Sequence, residues 1–101
     1  MDTRLQQFET PFTDGDGKTY VVSAYGRSRA HDTWQGWLVF ERQSDGRRFA
    51  TPVETTQPDE EATRYWATGL GATYFDGAFL RAMNGGEKVG AHSVCPAVAT
   101  E

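Results

Sequence analysis

The chain has 101 residues, with ten lysines and arginines against fourteen aspartates and glutamates, for a net charge of −4. That length makes one domain able to bury roughly 65% of its unfolded surface. The acidic balance disfavours a general nucleic-acid coat protein, and no apolar run approaches the ~18 residues a bilayer span needs.

The single cysteine, Cys95, cannot form an internal disulfide. The first residues lack the basic-then-apolar layout of a secretory signal, so the cytoplasm is the expected address.

Leu5 to Phe12 alternates loosely and contains Pro11, which fits a short edge strand or an irregular arm. Thr13 to Lys18 is dense in turn residues and closes a hairpin. Thr19 to Ser28 reads as a strand with Tyr20, Val22 and Ala24 on one face and Val21, Ser23, Tyr25 and Arg27 on the other. After a turn at Arg29–Thr33, the Trp34–Arg42 segment reads as a third strand. Leu38 and Phe40 share one of its faces, and Trp37 and Val39 the other. Ser44-Asp45-Gly46 turns the chain into a fourth strand, Arg47 to Thr55, where Pro52 marks an edge or an end.

Thr56 or Gln57 is placed to cap the helix that follows, with Pro58 in its first turn. Asp59, Glu60 and Glu61 complement the positive end of the dipole, an ordinary role that accounts for them better than metal binding. Ala62, Trp66, Gly69, Thr73, Gly77 and Leu80 form one row at helical spacing. Tyr65, Ala72, Phe75, Phe79 and Met83 form another. Gly69, Gly71 and Gly77 are costly in a helix, so either it breaks into two near Gly69–Gly71 or small residues let it lie close on the strands. The reading taken is one long helix with a possible kink, stopped by Asn84-Gly85-Gly86. Residues 1–86 then make the domain and 87–101 a largely flexible tail, in which His92–Val94 is a candidate short strand. The expected fold class is α+β: a four-stranded antiparallel meander with the helix packed across one face.

Three segments, Trp34-Gln35-Gly36-Trp37-Leu38-Val39-Phe40, Glu54-Thr55-Thr56-Gln57-Pro58 and Tyr65-Trp66-Ala67-Thr68-Gly69-Leu70, give the chain a resemblance. Over roughly residues 20 to 83 it resembles a family of short bacterial proteins with a Trp-rich strand, this helix start and a Trp-bearing helix. No activity is attached to that family, so the resemblance implies no catalytic residue. The strand-strand-strand-helix order is also similar, in topology alone, to the small antitoxin folds of bacterial toxin systems.

Chemical signatures are scarce. Asp14-Gly15-Asp16-Gly17-Lys18 begins like a calcium loop, but Lys18, Thr19 and Tyr25 stand where a ligand, a glycine and a glutamate are required, so a plain hairpin turn is expected. His92 and Cys95 put an imidazole near a thiol on a segment with no rigid element to hold them. His31-Asp32 reads as a solvated turn dipeptide. Phosphate loop, zinc spacing and nucleophile elbow are missing from the sequence, and no metal, cofactor or catalytic group is assigned.

One helix covers one face of a small sheet. If Val22, Leu38, Phe40 and Phe49 lie under it, Tyr25, Trp37 and Val39 are left on the other side, with Arg27, Arg42, Arg47 and Arg48 nearby. The N-terminal arm and the tail can fold over that face. It can instead be a protein interface, since aromatics with arginine are what interface centres favour. Or it can stack the bases of a single-stranded nucleic acid. The reading taken is a non-catalytic interaction or regulatory module, dimeric through its exposed aromatic face, with self-association or another protein as partner. Single-strand binding and a small enzyme are the alternatives.

Overall fold

The computed structural model describes residues 2–84. It is an α+β fold in which strands β1 (Thr3–Gln7), β2 (Phe12–Thr13), β3 (Thr19–Arg29), β4 (Thr33–Arg42), β5 (Arg48–Ala50) and β6 (Thr55–Gln57) precede helices α1 (Glu60–Thr68) and α2 (Ala72–Asn84). The sheet is antiparallel in the order β1-β3-β4-β5, with β2 also pairing with β3 and β6 also pairing with β4. The expected four strands become six because each outer rail is cut in two.

The two cuts have the same cause. Proline has no N–H to give a ladder, and each outer rail contains one. On the first, a bulge sets the register between Arg4 and Gln6. Phe8 N–H still reaches the Val22 carbonyl at 2.9 Å, and pairing resumes past Pro11 at Phe12↔Tyr20. On the fourth, β5 ends at Ala50 and β6 begins at Thr55, with Pro52 between. Thr51 repairs the gap: its N–H bonds the Leu38 carbonyl at 2.9 Å and its Oγ1 accepts the Leu38 N–H at 3.0 Å. Glu54 N–H then takes the Gly36 carbonyl at 2.8 Å, so β4 stays paired across the interruption.

Between the rails, β3 and β4 pair without a break from Tyr20↔Arg42 to Arg29↔Thr33. The two-residue period assigns the faces as expected. Tyr20, Val22, Ala24, Leu38, Phe40 and Phe49 join Ala67, Phe75, Ala78 and Ala82 of the helices in the main core. Its aromatics meet edge to face, as Phe8 with Phe75 at 4.9 Å and Phe40 with Phe79 at 5.3 Å between centroids.

The helical layer departs from expectation in three respects. Thr56 and Gln57 belong to β6, and the cap is Asp59, whose Oδ1 accepts the Ala62 N–H at 2.8 Å. One long helix is replaced by two, with Gly69-Leu70-Gly71 between them. Two glycines within three residues make continued helix costly, and the break lets Leu70 pack against the core. It also resets the helical phase. Thr63 and Ala67 of α1 and Phe75, Ala78 and Ala82 of α2 are buried, while Tyr65 and Leu80, placed on the apolar rows by continuous spacing, are exposed. The tail 87–101, the stop at Gly85-Gly86, the His92–Val94 strand and the His92–Cys95 pair lie outside the described residues.

Candidate functional site

The sheet face opposite the helices carries a second, smaller apolar cluster of Trp37, Val39 and Ala50, with Tyr25 packed against it. Tyr25 and Trp37 are direct cross-strand partners, and their rings lie 6.4 Å apart at an interplanar angle of 18°. Expected to be exposed, Trp37 and Val39 are instead buried, at 8% and 4% accessibility.

Arginines from the same sheet form the cover. Arg27 places its guanidinium carbon 5.1 Å from the Trp37 ring centroid. Arg48 reaches from β5 over the Tyr25 ring at 5.7 Å and donates from Nη2 to the Tyr25 hydroxyl at 2.9 Å. A planar, weakly hydrated guanidinium can sit flat on a ring while its edges stay in water. The side chains of Arg27 and Arg48 accordingly retain 41% and 37% of their accessibility.

Carboxylates steady the cover at its margins. Asp2 stands 3.3 Å from Arg27, and Glu41, the β4 partner of Arg48, stands 3.7 Å from its Nε. That second separation allows Coulomb attraction and is too long for a hydrogen bond. Arg48 Nε is therefore a buried donor with no hydrogen-bond acceptor among the described residues. Among the described residues, the side chain of Arg4, directly opposite Tyr25 on β1, hydrogen-bonds only the neutral Gln7, at 3.1 Å.

Of the seven residues singled out from sequence, Tyr25, Arg27, Trp37, Val39 and Arg48 meet on this face. Arg42 and Arg47 do not. Arg42 shares the even register of Leu38 and Phe40, and Arg47 that of Phe49, so both point to the helix side. There they flank the Phe49 ring at 5.7 and 5.5 Å. Arg42 also grips Asp45 with two hydrogen bonds of 3.0 and 2.8 Å. That fork, followed by the Arg47 N–H, holds the Asp45 carboxyl down to about 2.

Sequence reasoning missed Arg4, whose face is set by the β1 bulge, and Asp2 and Glu41 as partners of the roofing arginines. It also missed a polar cluster on the helix side. The Glu54 side chain is only 5% exposed. It accepts a hydrogen bond from the Tyr74 hydroxyl and a fork from Arg81, Nε at 2.9 Å and Nη2 at 2.7 Å. Burial, then the Glu54 carboxylate, push the Tyr74 hydroxyl up to about 12. The sequence separations of 20 and 27 residues left no local signal for it. Each strong donor or acceptor in this trio is answered by another, and the arrangement ties the β5–β6 interruption to α2. A shallow groove beside it, of about 320 Å³, is lined by Pro52, Leu80, Arg81 and Asn84.

Among the described residues, no group of three or more His, Cys, Asp or Glu side chains is arranged to hold a metal ion. No described helix is long and apolar enough to cross a membrane. No protein-family model matches the chain, and neither a curated protein nor a solved structure matches it.

Proposed function

We propose that this chain is a non-catalytic protein-interaction module whose working surface is the arginine-roofed sheet face built on Tyr25, Arg27, Trp37 and Arg48. The observation that carries the reading is the layering itself. Two guanidiniums are held over the buried Trp37 ring and the half-buried Tyr25 ring, and their side chains keep 41% and 37% exposure. Such groups bind at small entropic cost, because stacking has already fixed the long arginine side chain. Arginine beside aromatics is also the composition of interface centres.

A second copy of the chain is the partner the sequence suggests. Burial of Trp37 and Val39 within one chain weighs against it, since the apolar area that would drive self-association is already covered. The same cover weighs against single-strand binding through Tyr25 and Trp37, which needs open rings for the bases. A cytoplasmic setting suits the role proposed.

The test is a selection of binders from a random displayed peptide library, with the folded chain as bait. Binders that lose affinity for an Arg27→Ala/Arg48→Ala variant, itself shown to be folded by circular dichroism, are the expected outcome. A library that yields no binders, or binders indifferent to both substitutions, counts against the proposal.

A further inference from the structure

Arginine outnumbers acid on one face of this sheet. By register, the face opposite the helices carries Arg4, Arg27, Arg29 and Arg48, against Glu41 on the same face and Asp2 at its margin. The helix side is mixed: Asp59, Glu60, Glu61 and Asp76 stand there with Arg42, Arg47, Arg64 and Arg81. A chain of net charge −4 therefore presents a basic face.

We infer that the partner of this face is an acidic segment of another protein, whose aspartate and glutamate carboxylates dock on the forks of Arg4, Arg27 and Arg48. The inference rests on the interaction reading above and names the chemistry of the partner. Charge complementarity is the first argument for it. Arg4 has no carboxylate partner among the described residues, and the side chains of Arg27 and Arg48 stay 41% and 37% exposed with one carboxylate beside each. An incoming carboxylate can pair with the exposed N–H groups of these guanidiniums through charge-assisted hydrogen bonds, the stronger class. Two basic faces brought together would repel, which disfavours a symmetric pair of copies.

Geometry supplies the second argument. The outer rails are interrupted at Pro11 and Pro52, so neither edge offers a continuous row of backbone groups to which a partner could add as a strand. A ligand must lie across the face instead. The acids of the helix side do not repel it strongly, because a sheet and its core intervene and the screening length is about 8 Å at physiological salt. Nucleic acid also offers anions to arginine, but its bases would find Trp37 covered, which favours the carboxylate partner.

The test is a nuclear magnetic resonance titration of the full chain with three probes at low salt: an oligoglutamate peptide, its glutamine counterpart and an oligothymidylate of equal length. The expected result is that oligoglutamate moves the arginine Nε–H signals of Arg4, Arg27 and Arg48 and the Trp37 indole signal. Its affinity should weaken about tenfold or more as salt is raised through the physiological range, and by a similar factor in Arg48→Gln. The glutamine peptide should leave the spectrum unchanged. Tighter binding of oligothymidylate, equal binding of both peptides, or shifts confined to the helix side each overturn the inference. Peptides from the displayed library that need Arg27 and Arg48 yet carry no excess of Asp or Glu would refute the acidic partner alone. Absence of any face-dependent binder would remove the interaction reading as well.

Discussion

Arg27 lies over Trp37 with its guanidinium carbon 5.1 Å from the ring centroid, so the indole is covered by a residue two positions along from its own cross-strand partner. The relationship changes what the second face of the sheet offers. A bare Trp would favour association by apolar burial, whereas a covered one presents a positioned cation.

Removing the cover should restore the apolar behaviour. The Arg27→Ala/Arg48→Ala variant is expected to lose about 1–2 kcal/mol of stability through two lost cation–π contacts. It should also self-associate in sedimentation velocity at concentrations where the parent chain does not. A variant as monomeric and as stable as the parent would mean that the two arginines do not shield the rings.

At Gly36 the sheet leaves no room beneath α1 for a side chain. A Cβ there would stand 2.9 Å from Trp66 Cζ3 and 3.1 Å from the Cγ2 atoms of both Thr55 and Thr63. Gly36→Ala is therefore expected to cost about 1–3 kcal/mol by overpacking, measured by urea denaturation. An unchanged midpoint would show that α1 moves aside freely.

Glu54 joins the interrupted fourth rail to α2. Glu54→Ala strands the Tyr74 hydroxyl and one side of Arg81, an expected loss of about 1–3 kcal/mol. Tyr74 adds a pH signature. Its folded-state value is raised from 10 to about 12, so folding favours the protonated phenol. That contribution is complete below the unfolded value and is lost as pH rises through the folded one. Stability should fall between pH 10 and about 12, and Tyr74→Phe should flatten the decline. An identical alkaline profile in both proteins would contradict the placement of Tyr74 against Glu54.

At the tip of the β3–β4 hairpin, His31 and Asp32 both adopt the left-handed conformation, with φ of 63° and 60°. Left-handed backbone is strained for residues with a side chain, and hairpin turns of this hand favour glycine at the second position. Asp32→Gly should raise stability by about 0.5 kcal/mol or more in thermal or urea melts. A decrease would mean that the aspartate side chain stabilises the turn.

Much of the sheet was legible in the sequence because its signals are local. Alternation along Thr19–Ser28 and Trp34–Arg42 assigned the inward faces of both central strands, and the turn residues at Asp14–Lys18 and Ser44–Gly46 marked their connections. At the helix start and at Gly69–Gly71, two local signals compete and the structure resolves each. The apolar spacing through Gly69–Gly71 argued for one helix, and the cost of two glycines argued for two; the cost prevailed. Thr56 and Gln57 resembled a cap, but pairing with β4 drew them into a strand and left Asp59 to cap the helix.

The site was legible only in part, for a different reason. Parity along β3 and β4 brought Tyr25, Arg27, Trp37 and Val39 together, and the same parity, applied strictly, would have sent Arg42 and Arg47 to the helix side. No pattern in the sequence says that a guanidinium two residues or two strands away will lie over a ring. Long side chains choose among many rotamers, and the packing of neighbours decides between them. The Glu54–Tyr74–Arg81 cluster was hidden for the same reason, being assembled wholly from contacts distant in sequence.

The most direct measurement of the cover is the exchange rate of the Trp37 indole N–H in the intact chain, followed with sedimentation equilibrium from low to high micromolar concentration. Slow exchange that stays constant while the chain remains a monomer is the expected result, and it should accelerate in Arg27→Ala. Fast exchange in the monomer, slowing only as a dimer forms, would place the cover of Trp37 in a second copy and contradict the arginine roof.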